Sequence, residues 1–238
     1  MKTLAFDTTS DRLSVAAGRS GGPVAVREVA GARKHAGLLV PLVLEVLGEA
    51  GLMPAEVTRL VVADGPGGFT GLRVAAAWVK GFSRDRPVEV RAVSTLLVRA
   101  AAARAPGHLV LGVASALRGD LYVAGYRFGV GEVSTVLEPM VLASGRRPPV
   151  EGPVDAIVGD VADDLVRGWG YSAGVVVGGP RGLPDAARML ELVDLPGGTV
   201  LVEDVSRWEP IYGRPAEAQA KWERLHGRTL PDSAGQPG

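Results

Sequence analysis

The chain has 238 residues and no cysteine, and its 26 basic residues balance its 26 acidic residues. This length is sufficient for one large domain or two small domains with a buried core, and the hydrophobic fraction of 47% is that of a globular protein. The lack of cysteine excludes a disulfide framework and a thiolate zinc site, and without a basic excess the chain is not expected to bind nucleic acid by itself.

The first half of the sequence predicts three strands followed by alternating helices and strands. Thr3–Asp7 is a short apolar run, and Arg12–Gly18 alternates polar and apolar residues as a half-exposed strand does. Glycine and proline at 21–23 turn the chain into a third strand, Val24–Val29. The elements predicted after these are helix Ala36–Ala50, strand Leu60–Ala63, helix Leu72–Phe82, strand Val88–Val93 and helix Thr95–Ala105.

The first of these helices contains the longest apolar stretch of the chain. That stretch, Leu38–Leu44, includes Pro41 and stops at Glu45, so it is too short to cross a bilayer. The N-terminus runs directly into a strand that contains Asp7, and no signal peptide is predicted. We therefore expect a cytoplasmic protein that does not contact a membrane.

The order of elements begins again in the second half. The elements predicted there are strands Leu109–Ala114, Leu121–Phe128, Val133–Leu142, Asp155–Val158 and Gly174–Val177, and helices Val161–Gly168 and Pro184–Val193. Two such halves form the layout of the actin, hexokinase and Hsp70 superfamily. The prediction is therefore an α/β, actin/Hsp70-like (ribonuclease H-like), two-lobed fold, with a duplicated βββαβαβα order and mixed sheets. We expect the lobes at 1–106 and 107–214, followed by a terminal helix and a disordered tail at 215–238.

Four glycines and one proline lie at 65–71, between an apolar strand and an alanine-rich helix. Glycine permits backbone angles and close approaches that a Cβ atom would forbid. The loop could present N–H groups to an anion, or it could let another segment of backbone lie close. It is not a Walker loop, since no Gly-Lys-Ser/Thr follows, and it is not a G-x-G-x-x-G loop after a first strand. A phosphate cradle and a structural turn are equally open interpretations at this point.

The stretch Gly65–Arg73 resembles the G-P-G-S-F-T-G-[VL]-R motif of the TsaB (YeaZ) family, with Gly68 where that family has serine. Further similar segments follow the expected order: Leu4–Thr9 at the start, Ser94 after its strand, and Glu209–Arg214 near the end. The resemblance covers nearly all of the chain up to this last segment. Residues 115–122 align with the family's D-A-R-R-G-E-V-Y, but Ser115 replaces the acid and Leu117 replaces the first arginine.

The resemblance implies a non-catalytic subunit of the complex that forms N6-threonylcarbamoyladenosine at position 37 of tRNA. Such a subunit binds and supports a TsaD-like catalytic subunit. In bacteria a TsaE-like ATPase joins these two proteins, and the subunit contacts tRNA only through the complex. The three histidines, His35, His108 and His226, include no i, i+4 pair, so the H-x-x-x-H metal site of the sister family TsaD is absent. We predict no metal site and no catalytic residue. An active ATPase or small-molecule kinase of the same fold, and a metallopeptidase, remain alternatives.

A nucleotide site is a further expectation from the superfamily, whose first β-hairpin holds phosphates with an Asp-x-Thr/Ser sequence. The candidate residues here are Asp7, Thr8, Thr9, Gly67 and Gly68, since a carboxylate and hydroxyls suit a hydrated Mg²⁺. The ligand would be ATP or ADP with Mg²⁺, at an interface shared between subunits. The alternative is a plain turn, in which Asp7 caps its own backbone.

Two predicted helices, 36–50 and 72–82, are apolar over much more than one face. One side of each can pack on the sheet, and the remainder needs a partner or a second layer of the same chain. In the resembled family these two helices pair across a subunit interface. The residues predicted to form the interface are His35, Leu39, Leu42, Val46, Arg73, Ala77 and Trp78. Their partner would be the TsaD-like subunit, or a second copy in a homodimer when the chain is alone.

Overall fold

The computed structural model describes residues 1–31, 35–116, 119–161, 166, 168–171 and 175–213. The strands are β1 (Lys2–Asp7), β2 (Arg12–Arg19), β3 (Val24–Ala30), β4 (Arg59–Gly65), β5 (Glu89–Ser94), β6 (Leu109–Ser115), β7 (Leu121–Phe128), β8 (Val133–Leu142), β9 (Ala156–Gly159), β10 (Val175–Val177) and β11 (Val200–Leu201). The α-helices are α1 (His35–Glu49), α2 (Phe69–Ser83), α3 (Thr95–Ala100) and α4 (Ala186–Leu192). Short 3₁₀ turns are Pro54–Glu56, Ala101–Ala103 and Gly179–Gly182.

The strands form two mixed sheets that repeat one layout. The first has the order β11-β5-β4-β1-β2-β3, and the second has the order β10-β9-β6-β7-β8. In each sheet three consecutive strands pair antiparallel, and the first of the three also pairs parallel with a strand reached through a crossover. This repetition is the duplicated arrangement that the order of elements predicts.

Helices separate the two sheets and cover the outside of the first. Helices α1 and α2 pack on the outer face of the first sheet, where their apolar residues meet Leu4, Phe6 and Val62. Helices α3 and α4 lie between the sheets, within a core to which both sheets contribute. This core includes Val61 of the first sheet and Val110 of the second. The two predicted lobes therefore meet in a shared hydrophobic core, and each sheet has a further core of its own.

The observed elements differ from the predicted ones mainly at their ends. The helix predicted to extend from Thr95 to Ala105 is α-helical only in α3, after which it tightens into the turn Ala101–Ala103. Helix α2 begins at Phe69, earlier than predicted, and strand β11 was not predicted. The strand predicted at Asp155–Val158 is confirmed as β9. The predicted helix Val161–Gly168 lies largely outside the described residues, and Gly174, Arg214 and the segment 215–238 lie wholly outside them.

Membrane contact was not expected from the sequence. Within the residues that the structure describes, no helix is both long enough and apolar enough to cross a bilayer.

Candidate functional site

The turn after β1 and the glycine loop after β4 lie side by side. Strands β1 and β4 are parallel neighbours, so their carboxyl ends meet at the same edge of the first sheet. This is the edge at which α/β sheets commonly bind ligands. The two loops are joined by hydrogen bonds: the Gly68 N–H donates to the Thr9 carbonyl oxygen at 2.7 Å, and the Thr8 hydroxyl donates to the Gly71 carbonyl oxygen at 2.8 Å.

Glycine is needed in this loop because backbone fills the space where side chains would lie. A Cβ atom on Gly67 would lie 2.5 Å from the Thr9 Cβ and 2.6 Å from the Thr9 carbonyl oxygen. A Cβ atom on Gly71 would lie 1.8 Å from the Thr8 carbonyl oxygen. The geometry therefore favours the structural interpretation of the loop, in which glycine allows another backbone segment to come close.

Asp7 is fully buried at the end of β1. Its Oδ1 accepts from the Thr9 N–H at 3.1 Å, and its Oδ2 accepts from the Thr9 hydroxyl at 2.8 Å. Burial raises the pKa of Asp7 to about 6, although the hydrogen bonds from Thr9 and the charges of Arg99 and Arg12 oppose the rise. These contacts are those of a capped turn, and they leave neither carboxyl oxygen facing solvent.

The predicted nucleotide site does not fit Mg²⁺-nucleotide in this conformation. Asp7 uses both oxygens on Thr9, and the Thr8–Thr9 backbone occupies the space beside Gly67. A bound Mg²⁺ would require oxygen ligands that reach the ion. Nucleotide binding by Asp7, Thr8, Thr9, Gly67 and Gly68 stays a prediction.

Direct contacts also close the junction between the two sheets near Asp7. The Arg12 guanidinium donates to the carbonyl oxygens of Leu183 and Pro184 at 3.2 and 2.9 Å. The buried Arg99 guanidinium on α3 donates to the Asp160 Oδ1 at 2.6 Å and to the Gly182 carbonyl oxygen at 2.8 Å. The two halves of the chain are thus joined near Asp7 by hydrogen bonds from arginine side chains to backbone carbonyl oxygens and by the ion pair between Arg99 and Asp160.

A surface pocket of about 260 Å³ lies at the other end of β6 and β7. It is lined by Arg104, Ala105, Pro106, Phe128, Gly129, Gly131, Glu132, Glu191 and Leu195. Arg104 and Glu191 are already paired across it at 2.9 Å. The pocket contains none of the residues that the sequence singled out.

Three of the predicted interface residues lie inside the chain's own core. Leu39, Leu42 and Val46 are buried between α1 and the first sheet. Because this helix is apolar almost all round, its sequence does not show which side packs inward. The outward side carries Val40 and Leu44, which are 47% and 52% exposed.

On α2, the outward side carries two of the predicted interface residues. Arg73 and Ala77 are exposed, one helical turn apart. Trp78 is half-buried, and its ring packs on Phe6 and Phe82 at centroid distances of 5.0 and 4.7 Å. The side chain of His35 lies outside the described residues.

Of the two departures from the family pattern in residues 115–122, only one can be placed. Ser115 is exposed at the end of β6, whereas Leu117 lies outside the described residues. Within the described part of the chain, no group of three or more His, Asp and Glu side chains is arranged to hold a metal ion.

Sequence reasoning missed Asp64, which follows the apolar run of β4 directly. The register of β4 against β5 shifts between Ala63 and Gly65, so Asp64 is the extra residue of a β-bulge. Its Oδ1 is buried and has no hydrogen-bond partner, and burial raises the pKa of Asp64 to about 7. The sequence signal that could have identified this residue is an acidic side chain placed between the apolar run of β4 and the following Gly-Pro pair.

Sequence reasoning also missed the role of the segment Glu209–Gly213, called the strap here. The Ile211 N–H donates to the Asp64 carbonyl oxygen at 2.7 Å, and the Tyr122 hydroxyl lies 3.5 Å from the Tyr212 carbonyl oxygen. The strap therefore connects the glycine loop of the first sheet to β7 of the second sheet.

Known proteins resemble this chain over nearly its whole length. A family model described as TsaD, tRNA N6-adenosine threonylcarbamoyltransferase, matches residues 26–157, more than half of the chain. A protein of Escherichia coli (strain K12) named tRNA threonylcarbamoyladenosine biosynthesis protein TsaB is 30% identical over 96% of this chain and 100% of its own length. The protein of the same name from Bacillus subtilis (strain 168) is 26% identical over 93% of this chain and 98% of its own.

Solved structures agree with the sequence matches. An uncharacterized protein described as similar to peptidase YeaZ from Pseudomonas aeruginosa has a TM-score of 0.76 at 26% identity, covering 90% of this chain and 99% of that one. YeaZ from Pseudomonas aeruginosa has a TM-score of 0.70 at 27% identity, covering 79% of this chain and 87% of that one. Together with the sheet topology, these likenesses confirm the predicted α/β, actin-like, two-lobed fold.

Proposed function

Because this chain belongs to the TsaB (YeaZ) family, we propose that it acts in the formation of threonylcarbamoyladenosine in tRNA as a non-catalytic binding subunit. The observation that carries the proposal is the near end-to-end match to relatives that are named for this biosynthesis. The modified base would be N6-threonylcarbamoyladenosine at position 37, and the chain would meet tRNA through the complex. A neutral chain without a basic excess suits that indirect role.

The buried state of Asp7 supports a binding role over an ATPase or kinase role. Both of its oxygens accept hydrogen bonds from Thr9, and backbone fills the space beside the glycine loop. A nucleotide-dependent enzyme of this fold needs these groups for phosphate and Mg²⁺. Any ATP or ADP with Mg²⁺ is therefore expected at a junction with another subunit.

The outward side of α1 and α2 is the surface that we assign to the partner. It presents Val40 and Leu44 on α1 and Thr70, Arg73 and Ala77 on α2, all of them exposed. Small and apolar residues on neighbouring helical turns allow close packing of a second pair of helices. The proposed partner is a TsaD-like catalytic subunit, which a second copy of the chain replaces when the chain is alone. A TsaE-like ATPase would join the assembled pair.

A charge on this outward surface should abolish partner binding without unfolding the chain. Leu44→Asp and Ala77→Glu place a carboxylate where a bound partner would exclude water, and an unpaired buried charge costs several kcal/mol. Since ~1.4 kcal/mol is tenfold in affinity, we expect at least a hundredfold weaker binding to the purified TsaD-like subunit by calorimetry.

Two further variants make this test specific. Val130→Asp, at a residue that is 90% exposed on the β7–β8 turn, should bind normally. Leu42→Asp, in the core, should unfold the chain as judged by circular dichroism. If Leu44→Asp and Ala77→Glu both fold and bind with unchanged affinity, the partner surface lies elsewhere.

The isolated chain should form no threonylcarbamoyladenosine. When it is incubated with tRNA and threonylcarbamoyl-adenylate, nucleoside analysis should detect no modified base, and addition of the TsaD-like subunit should restore product. Product above background from the chain alone would contradict the non-catalytic role.

A further inference from the structure

A network of hydrogen bonds centred on Arg99 connects the two sheets beside the turn after β1. The Arg99 guanidinium donates to the Asp160 Oδ1, directly after β9 of the second sheet, and to the Gly182 carbonyl oxygen. The next two carbonyl oxygens along the chain accept from Arg12 of β2, in the first sheet. A continuous path of hydrogen bonds and backbone therefore runs from β2 to the end of β9, and we call it the Arg99 network.

The Arg99 network is buried and carries charge, so it is costly to separate. The Arg99 Nη1 lies 2.6 Å from the Asp160 Oδ1, and the arginine side chain is 3% exposed. Removing these partners would leave a guanidinium buried without compensation, which is strongly unfavourable. Nearby, the Ala186 N–H donates to the Ser14 hydroxyl of β2 at 3.0 Å, and both residues are buried. The first sheet is thus bonded to the second half of the chain at several neighbouring residues.

The strap connects the same two sheets on the other side of β1. The strand order places β2 and β4 on opposite sides of β1. At the β4 side, the Ile211 N–H donates to the Asp64 carbonyl oxygen at 2.7 Å. Gly213 fits tightly between the sheets, since a Cβ atom there would lie 2.6 Å from the Tyr122 ring of β7 and 3.1 Å from the Pro66 Cβ of the glycine loop. The strap therefore fills the space between the glycine loop and β7.

Both connections also lie on opposite sides of the central strand of the second sheet. The Arg99 network reaches that sheet at β9 and the strap reaches it at β7, and these two strands flank β6. Proteins that close around a ligand commonly do so by turning about a hinge. Such a turn requires that the side opposite the hinge can separate. Here each side is held by contacts that an opening movement would have to break.

We propose that the Arg99 network and the strap together hold the two sheets as one rigid body, which stays closed with or without nucleotide. The cleft that the fold provides is then a fixed structural junction in this chain. The second sheet is held at a constant angle to the helices α1 and α2, which lie on the outside of the first sheet. The inference concerns the motion of the chain itself and does not depend on the proposed function.

Distance measurement between spin labels tests the rigid junction. The chain has no cysteine, so Ala30→Cys and Arg146→Cys provide one attachment point in each half. Both residues are exposed. Ala30 pairs with Arg12 at the end of β3, and Arg146 follows β8, whose end pairs with the start of β7. Pulsed electron paramagnetic resonance should give one narrow distance distribution, and saturating ATP with Mg²⁺ should not shift it.

Two variants of this labelled chain each release one side of the junction. Arg12→Ala removes the donor to the Leu183 and Pro184 carbonyl oxygens, and Ile211→Pro removes the N–H that bonds to Asp64. In each variant the sheets can turn about the remaining connection, so the distribution should broaden and gain a longer distance.

Arg27→Ala is the matched control for the loss of an arginine. The partners of Arg27 are Glu45 and Glu49, which lie in the same half of the chain. This variant should therefore keep the narrow distribution of the native chain.

The rigid junction is overturned if the native chain shows two resolved distances, or if ATP with Mg²⁺ shifts its distribution. It is also overturned on one side by a variant that folds, as judged by circular dichroism, and keeps the native distribution. That result would mean that the shared core holds the sheets without the contact removed. If Arg12→Ala does not fold, the native chain and Ile211→Pro still decide the proposal.

Discussion

Gly71→Ala is expected to lower the free energy of unfolding by about 3 kcal/mol or more. This is the largest loss of stability that we expect from adding a single methyl group. Gly71 is buried in the first turn of α2, and a Cβ there would lie 1.8 Å from the Thr8 carbonyl oxygen. That oxygen cannot withdraw easily, because the Thr8 hydroxyl is bonded to the Gly71 carbonyl oxygen. Overpacking a rigid core site usually costs about 1–3 kcal/mol, and a methyl carbon forced this close to a backbone oxygen is expected at or above the upper end of that range. Urea unfolding followed by circular dichroism measures the free energy.

Gly81→Ala on the same helix is the matched control. No atom lies within 4 Å of the position of its Cβ, and the residue is exposed. Alanine is favoured over glycine in a helix by about 0.5–1 kcal/mol, so this variant should be slightly more stable than the native chain. If Gly71→Ala and Gly81→Ala have equal stabilities, the close contact between the glycine loop and the β1 turn does not exist as described.

Asp64→Asn should make the protein more stable, and the gain should grow with pH. The ordinary pKa of the carboxyl is 3.8, and burial raises it to about 7 in the folded chain. The folded state therefore holds the proton more tightly than the unfolded state does. Stability contributed by the protonated group is present at low pH and is lost as pH rises through the folded pKa. Asparagine does not ionise, so the Asp64→Asn variant does not lose this stability as pH rises.

We expect the difference in unfolding free energy between Asp64→Asn and the native chain to increase by roughly 2–3 kcal/mol from pH 4.5 to pH 8. Each pKa unit corresponds to about 1.4 kcal/mol, and the residue's partial exposure reduces the total. Urea titrations at both pH values measure this difference. Asp85→Asn, in an exposed turn, serves as the control and should show a nearly constant difference. A constant difference for Asp64→Asn would mean that the buried carboxyl does not govern stability.

The sequence alone determined the class of fold and the place of the main loops. The pattern in Arg12–Gly18 and the turn at 21–23 predicted the first hairpin, and β2 spans that stretch. The half-exposed face predicted for this strand is wrong, because residues 13–18 are all buried, with hydrophobic cores on both faces of the sheet. The glycines at 65–71 indicated that an anion or another backbone segment lies close to this loop, because glycine has no Cβ atom to block the approach. Whether phosphate or backbone approaches could not be read from the loop itself. The structure places the backbone of Thr8 and Thr9 against Gly71 and Gly67, which accounts for these glycines, and phosphate binding stays a prediction.

What the tertiary structure alone decided are the contacts between segments that are distant in sequence. Helix α1 is apolar on nearly every side, so only its position on the first sheet shows that Leu39, Leu42 and Val46 face inward and Val40 faces outward. Strand β11 has only two residues and exists because it pairs with β5. Asp64 became significant only when the bulge and Ile211 were placed around it. Local patterns specify elements because side-chain periodicity is local, whereas burial and pairing depend on neighbours that the chain brings together by folding.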